Sequence, residues 1–232
     1  MRKITLLLLV FTASLNGFSQ WVIQNSGTNE MLTSVYFIDE NIGFAGGAGP
    51  TSPTLLKTSD GGSTWNQVNI NSIYQINDIV FPNDNIGFLI TEENELFKSN
   101  DSGETWNNIN DFNGFQAKIF FLTENIGFVA KSSEIHKTID GGTTWTNISL
   151  NDFYNPTAIS FPNNNIGYIS TFGGKIVKTT DSGATWSFLT QPTSKPIRDI
   201  FFTNENAGFA VGGDGISSLI LKTTNGGVSW VV

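Results

Sequence analysis

An all-β fold, a β-propeller of four-stranded blades, is predicted by three features of the sequence. An octapeptide, TSDGGSTW at residues 58–65, recurs as SNDSGETW from Ser99, TIDGGTTW from Thr138, TTDSGATW from Thr179 and TTNGGVSW from Thr223. Its third position falls at Asp60, Asp101, Asp140, Asp181 and Asn225, in steps of 41, 39, 41 and 44 residues, the length that one blade occupies. A second motif keeps step upstream of each copy: NIGF at 41–44, 85–88 and 125–128, NIGY at 165–168 and NAGF at 206–209. No stretch after residue 20 sustains a helical period, so the five repeats read as one domain.

The chain opens with a different kind of segment. In MRKITLLLLVFTASLNGFSQ, Arg2 and Lys3 precede an apolar run from Ile4 to about Leu15, and Gly17 and Ser19 supply small residues before Gln20. This is the pattern of a secretory signal peptide, residues 1–19, too short to span a bilayer comfortably. Residues 20–232 are then a single β-propeller domain, expected in the periplasm or outside the cell. Trp21-Val22-Ile23-Gln24 looks like an outer strand with no octapeptide in front of it, whereas the last octapeptide ends two residues before the end of the sequence. The N-terminal strand is therefore expected to complete the last blade and close a five-bladed ring, the alternative being five units of a larger ring.

Each unit parses into strands in the same order. A short β-branched and aromatic run precedes each NIGF motif, as in Val35-Tyr36-Phe37 or Ile119-Phe120-Phe121, and suits an inner strand. Asp, Asn and Pro punctuate its end, and the Gly of NIGF opens the second strand. The third strand holds two adjacent apolar residues before a Lys: LLK at 55–57, LFK at 96–98, IHK at 135–137, IVK at 176–178 and LILK at 219–222. Adjacent strand residues point to opposite faces, so both faces seek burial, as sheets stacked blade on blade require. The octapeptide makes the next turn, and its Trp opens the outer strand.

The octapeptide itself reads as a self-satisfied turn. Its Asp can accept hydrogen bonds from the turn's amides, its Gly adopts a backbone conformation other residues resist, and its hydroxyls bond back to the loop. The Trp buries a large face between sheets. Asp60, Trp65, Asp101, Trp106, Asp140, Trp145, Asp181, Trp186, Asn225 and Trp230 are accordingly assigned structural roles. Asn225 fills the Asp position with a side chain of the same shape, a replacement that catalysis or metal binding would tolerate poorly.

Composition excludes several functions. The absence of Cys removes disulfides and thiolate metal sites. Without the leader the chain keeps 10 basic residues against 20 acidic ones, a formal charge of −10. Such a surface repels phosphate, so nucleic acid is not an expected partner. The lysines ahead of the boxes are read as the starts of solvent-side turns. His136, the single histidine, stands where other units have Leu, Phe or Val and reads as a packed residue; no metal and no cofactor is expected.

These repeats resemble Asp-box (BNR) repeats. With the Gly-Phe motif ahead of each Lys-Thr-x-Asp-Gly-Gly-x-x-Trp segment, the array over residues 21–232 is similar to the photosystem II stability and assembly factor-like family of β-propellers. The resemblance implies structural boxes on the face opposite the usual binding site and a protein-binding, assembly role. Sialidases also bear Asp-boxes, but they use three arginines, and Arg198 is the only Arg after residue 2. Another glycosidase would need two carboxylates flanking a cleft; Asp78, Glu92, Glu93, Asp111, Asp152, Asp199 and Asp214 qualify by type, with no spacing that selects a pair. No nucleophile constellation is visible.

The loops on the face away from the boxes differ from unit to unit, as expected where a partner is read on a repeated scaffold. Their aromatics, Tyr74, Phe112, Phe115, Phe153, Tyr154 and Phe172, together with Arg198, are the candidate binding residues. They lie among Asn, Asp and Gly, a mixture suited to gripping a protein segment or stacking on sugar. The leading expectation is a secreted, non-catalytic propeller, monomeric and without a membrane span, that binds a partner protein. The alternatives are a carbohydrate-binding module for extracellular polysaccharide and an Asp-box glycoside hydrolase other than a sialidase.

Overall fold

The computed structural model describes residues 22–49, 53–112 and 117–231. Five antiparallel meanders follow one another, each a blade. Blade 1 is β1 (Met31–Phe37), β2 (Gly43–Ala48), β3 (Pro53–Thr58) and β4 (Asn66–Gln67); blade 2 is β5 (Ile76–Val80), β6 (Gly87–Thr91), β7 (Glu95–Ser99) and β8 (Asn107–Asp111). Blade 3 is β9 (Lys118–Phe121), β10 (Gly127–Lys131), β11 (Glu134–Thr138) and β12 (Thr146–Ser149); blade 4 is β13 (Pro156–Ser160), β14 (Gly167–Thr171), β15 (Ile176–Thr179) and β16 (Ser187–Phe188). Blade 5 has three strands, β17 (Ile197–Phe202), β18 (Gly208–Gly213) and β19 (Ser218–Thr223). The first strands of consecutive blades lie side by side, β1 by β5, β5 by β9, β9 by β13 and β13 by β17, and so line the centre.

The recurrence of the two motifs together has a direct cause. The Gly that opens each second strand lies under the Phe that ends the first: a Cβ on Gly87 would sit 2.5 Å from the Phe81 ring and one on Gly127 2.4 Å from Phe121. The Asn ahead of that Gly accepts, through its carbonyl, an amide from the box. Ser102 N–H donates to Asn85 O and Gly141 N–H to Asn125 O, both at 2.9 Å, and the same bond recurs in the other three blades. Each blade therefore ties its inner turn to its own Asp-box.

Within the box, the Asp101 carboxylate accepts from Thr105 N–H at 2.9 Å, from the Thr105 hydroxyl at 2.6 Å and from the Ser99 hydroxyl at 2.7 Å, while Gly103 N–H donates to Ser99 Oγ at 2.8 Å. These bonds pull the carboxyls of Asp101, Asp140 and Asp181 from an ordinary 3.8 to about 2, and lower that of Asp60. Asn225 makes the same contacts without charge: Oδ1 accepts from Ser229 N–H at 3.0 Å and Nδ2 donates to Ser229 Oγ at 2.9 Å. The indole N–H of Trp106 and of Trp145 reaches a box carbonyl, at Gly103 and Gly142, whereas those of Trp186 and Trp230 are buried without a partner.

The core consists of four apolar seams, one between each pair of consecutive blades. One face of a blade offers the aromatic of its second strand, and the next blade offers the Phe of its first strand. Phe44 stacks on Phe81, Phe88 on Phe121, Phe128 on Phe161 and Tyr168 on Phe202, and the box Trp of the second partner packs edge-on against that Phe. The lysines of the third strands belong to these seams rather than to solvent-side turns. Lys57, Lys98, Lys137 and Lys178 lie 5.2–5.9 Å over the second-strand aromatic and donate to a box carbonyl of the following blade.

The expected closure by the N-terminal strand is corrected. Trp21 lies outside the described residues, residues 22–30 form no strand, and Val22 and Ile23 are exposed. The place of a fourth strand in blade 5 is taken by Val231, whose amide and carbonyl both bond Lys222. Once the octapeptide has turned the chain, Trp230 already delivers its successor to that edge, beside Lys222.

Candidate functional site

The first strands of blades 1, 2, 4 and 5 share an irregularity that the repeat alone does not announce. Each has a bulge, between Leu32 and Ser34, Ile76 and Asp78, Pro156 and Ala158, and Ile197 and Asp199. The extra residue is polar in every case: Thr33, Asn77, Thr157 and Arg198. Bulges re-aim side chains, and here Asn77, Thr157 and Arg198 line one cavity of about 480 Å³. Blade 3 has no bulge, and the residue at the start of β9, Lys118, joins the same cavity.

Blade 4 and its neighbour supply the remaining wall. Asn155 takes a left-handed backbone conformation, φ +52°, which turns the chain so that its carbonyl accepts Phe172 N–H at 2.9 Å and its amide donates to Ser132 O at 2.9 Å. That hairpin holds Phe172 at the rim. Arg198 lies over the Phe172 ring, its guanidinium carbon 4.7 Å from the centroid. A guanidinium stacked in this way keeps its N–H fork free to meet a carboxylate or carbonyl. Asn77 is anchored by its Nδ2 donating to Ala117 O at 2.9 Å, which leaves its side-chain oxygen as an acceptor.

Two carboxylates flank the mouth and serve its backbone. Asp78 accepts from Ile79 N–H at 3.1 Å and Asp199 from Ile200 N–H at 2.8 Å. Desolvation raises the Asp78 carboxyl above its ordinary value, against the pull of Lys118. The cavity thus joins two cations, two amides, a hydroxyl and one exposed aromatic face in an otherwise acidic chain.

Within the described residues, the expected binding residues separate into three groups. Phe172 and Arg198 line the cavity. Tyr74 and Tyr154 are exposed on loops but do not line it. Phe112 and Phe153 are corrected: both are buried, Phe112 in the seam between blades 2 and 3 and Phe153 in that between blades 3 and 4. Their loops fold inward, and the rings plug the seam ends instead of facing solvent. Phe115 lies outside the described residues. Asn77, Lys118, Thr157 and Asn155 are not singled out by the sequence; the signal for the first three is a polar residue, differing from unit to unit, after Ile76, Ala117 and Pro156, whereas Asn155 precedes its strand.

His136 is half-buried. Its ring lies 4.9 Å from that of Phe112, its Nε2 is 3.0 Å from Glu134 Oε2, and desolvation is the main cause that lowers its pKa. Among the described residues no three His, Asp or Glu side chains gather as a metal site.

Five Asp-box sheets around a polar, partly cationic mouth define a repeat β-propeller. The sequence matches the family described as photosynthesis system II assembly factor YCF48 over residues 13–110 and 64–198, and the chain belongs to that family. No curated protein matches it. Among solved structures, YCF48 bound to D1 peptide shares 19% identity at a TM-score of 0.67, covering 90% of this chain and 83% of that one; YCF48 from Cyanidioschyzon merolae shares 16% at 0.59, covering 88% and 85%. The GH74 enzyme of Niastella koreensis shares 21% at 0.64, covering 83% of this chain but 36% of the enzyme. At these identities the likeness is one of fold.

Proposed function

We propose that this protein is a non-catalytic propeller, exported by its N-terminal leader, that holds a peptide segment of a partner protein in the mouth around Arg198. The observation that carries the reading is the Arg198 guanidinium stacked 4.7 Å over Phe172, with Asn77, Asn155 and Lys118 lining the same cavity. An extended peptide presents alternating carbonyls and amides, which Asn side chains match, and a carboxylate on it would meet Arg198 and Lys118. Family membership and a relative that binds a peptide support a protein partner over a sugar. The acidic surface, with Asp78 and Asp199 beside the mouth, would hold non-specific anions off, while Arg198 and Lys118 would admit one acidic group.

The test is capture from an envelope extract with immobilised residues 20–232, alongside the Arg198→Ala and Phe172→Ala forms and the box variant Asp101→Ala as a folded control. A defined protein retained by the parent and the control, and lost from both mouth variants, is the expected result. Saturable binding to a polysaccharide array with no protein captured would overturn the protein reading.

A further inference from the structure

Among the described residues, the seam repeated four times has a fifth set of halves that do not meet. Blade 5 has an uncovered face on which Phe209 and Ile220 are 40% and 64% exposed. The residues at those positions in blades 2 and 3, Phe88 with Leu96 and Phe128 with Ile135, are fully buried by the following blade. Blade 1 has the opposite face uncovered: Val35 and Phe37 are 65% and 43% exposed, where Ile79 and Phe81, or Ile200 and Phe202, are buried. A groove of about 390 Å³ lined by Leu32, Val35, Ala45 and Trp65 runs along that face.

The two surfaces match group for group. Phe37 already has its box Trp edge-on, 6.0 Å from Trp65 at 87°, as the seam Phe residues have theirs, but among the described residues no aromatic stacks on its other side. Phe209 already has its lysine, Lys222, 5.8 Å over the ring. In the four seams that lysine also donates to a box carbonyl of the next blade; Lys222 makes no such bond among the described residues, and the corresponding carbonyl in blade 1 is that of Gly61. Apolar area of this extent, flanked by an unspent cation, marks an interaction surface.

We propose that the uncovered face of blade 5 docks on the uncovered face of blade 1 of a second copy of this chain, reproducing the intramolecular seam between molecules. Phe209 then stacks on Phe37 of the second copy, Ile220 fills the groove beside Val35, and Lys222 reaches the Gly61 carbonyl. The contact is head-to-tail, so each copy keeps one further free half, and the contact either closes into a ring or extends.

Sedimentation equilibrium over a concentration series tests this with the mature chain and two charge variants, Val35→Asp and Ile220→Asp. Both positions are solvent-facing, so both variants retain the parent's circular dichroism and, at concentrations where the parent is monomeric, its melting. The parent is expected to at least double its mass as concentration rises, and each variant alone to stay monomeric. An equimolar mixture of the two is expected to form a one-to-one species, because each variant retains the half that the other lacks. A monomeric parent at every concentration overturns the proposal. So does self-association blocked by only one of the substitutions, which would mean a contact between like faces.

Discussion

Phe88 of the second blade stacks on Phe121 of the third, ring centroids 3.6 Å apart and planes within 7°, and that pair closes the seam between the two blades. Beneath Phe121 lies Gly127, above it Trp145 edge-on, and over Phe88 the ammonium of Lys98, which bonds the third blade's box. Motif, box and lysine thus converge on one contact, repeated from seam to seam.

Removing the ring from a covered seam leaves a cavity that stacked sheets cannot collapse into. Phe121→Ala is expected to cost about 3–5 kcal/mol of stability. Phe37→Ala, the same position on the uncovered face of blade 1, removes a ring already 43% exposed and is expected to cost only about 1 kcal/mol. Urea denaturation of the two variants at low protein concentration measures the difference. Equal losses would mean that Phe37 is covered in solution.

The Asp-box is a local hydrogen-bond device, so its removal should act on stability alone. Asp101→Ala frees Thr105 N–H and both hydroxyls and is expected to lower stability by about 1–2 kcal/mol, modest because Thr105 faces water and the buried Ser99 hydroxyl keeps its bond from Gly103 N–H. Asp101→Asn should lose much less, since Asn225 already holds its box with the same acceptor geometry. Thermal melts of both variants check the order.

Acid sensitivity follows from the same carboxylates. Their folded pKa of about 2 lies below the ordinary 3.8, so between those values the unfolded chain binds more protons than the folded one. Stability is therefore expected to be fully present above pH 3.8 as far as these groups are concerned, and to fall as pH drops toward 2. Replacing Asp101, Asp140 and Asp181 together by Asn should flatten that part of the profile, read by tryptophan fluorescence in chemical denaturation at each pH.

The repeat made the blades legible because each motif is local: the Asp101 box satisfies itself, and Gly87 opens β6 six residues after the Phe81 ring it lies under. What was hidden depended on neighbours distant in sequence. Lys98 follows a β-strand run and looks like a turn residue until blade 3 brings the Gly141 carbonyl within 3.1 Å. Phe112 and Phe153 lie in Asn- and Asp-rich loops, and only the gap at the seam end draws them inward. Arg198 stood out as the single arginine after residue 2, whereas Asn77 and Thr157 became recognisable only once the bulges had turned them to the mouth.

Arg198 offers two contributions to the mouth, charge and a planar stacked fork, and substitution separates them. Arg198→Lys keeps the charge but gives up the fork above Phe172 and the paired donors that meet a carboxylate. If the captured partner presents a carboxylate to this group, Arg198→Ala should weaken binding by at least about tenfold, near 1.4 kcal/mol, and Arg198→Lys should recover only part of it. The parent's affinity should also fall with added salt, and the Ala variant's should fall less, because a screened ion pair is the contact it has already lost. Calorimetric titration of the three forms with the captured partner at two salt concentrations distinguishes this from a purely apolar grip, for which Lys and Ala would behave alike and salt would change neither.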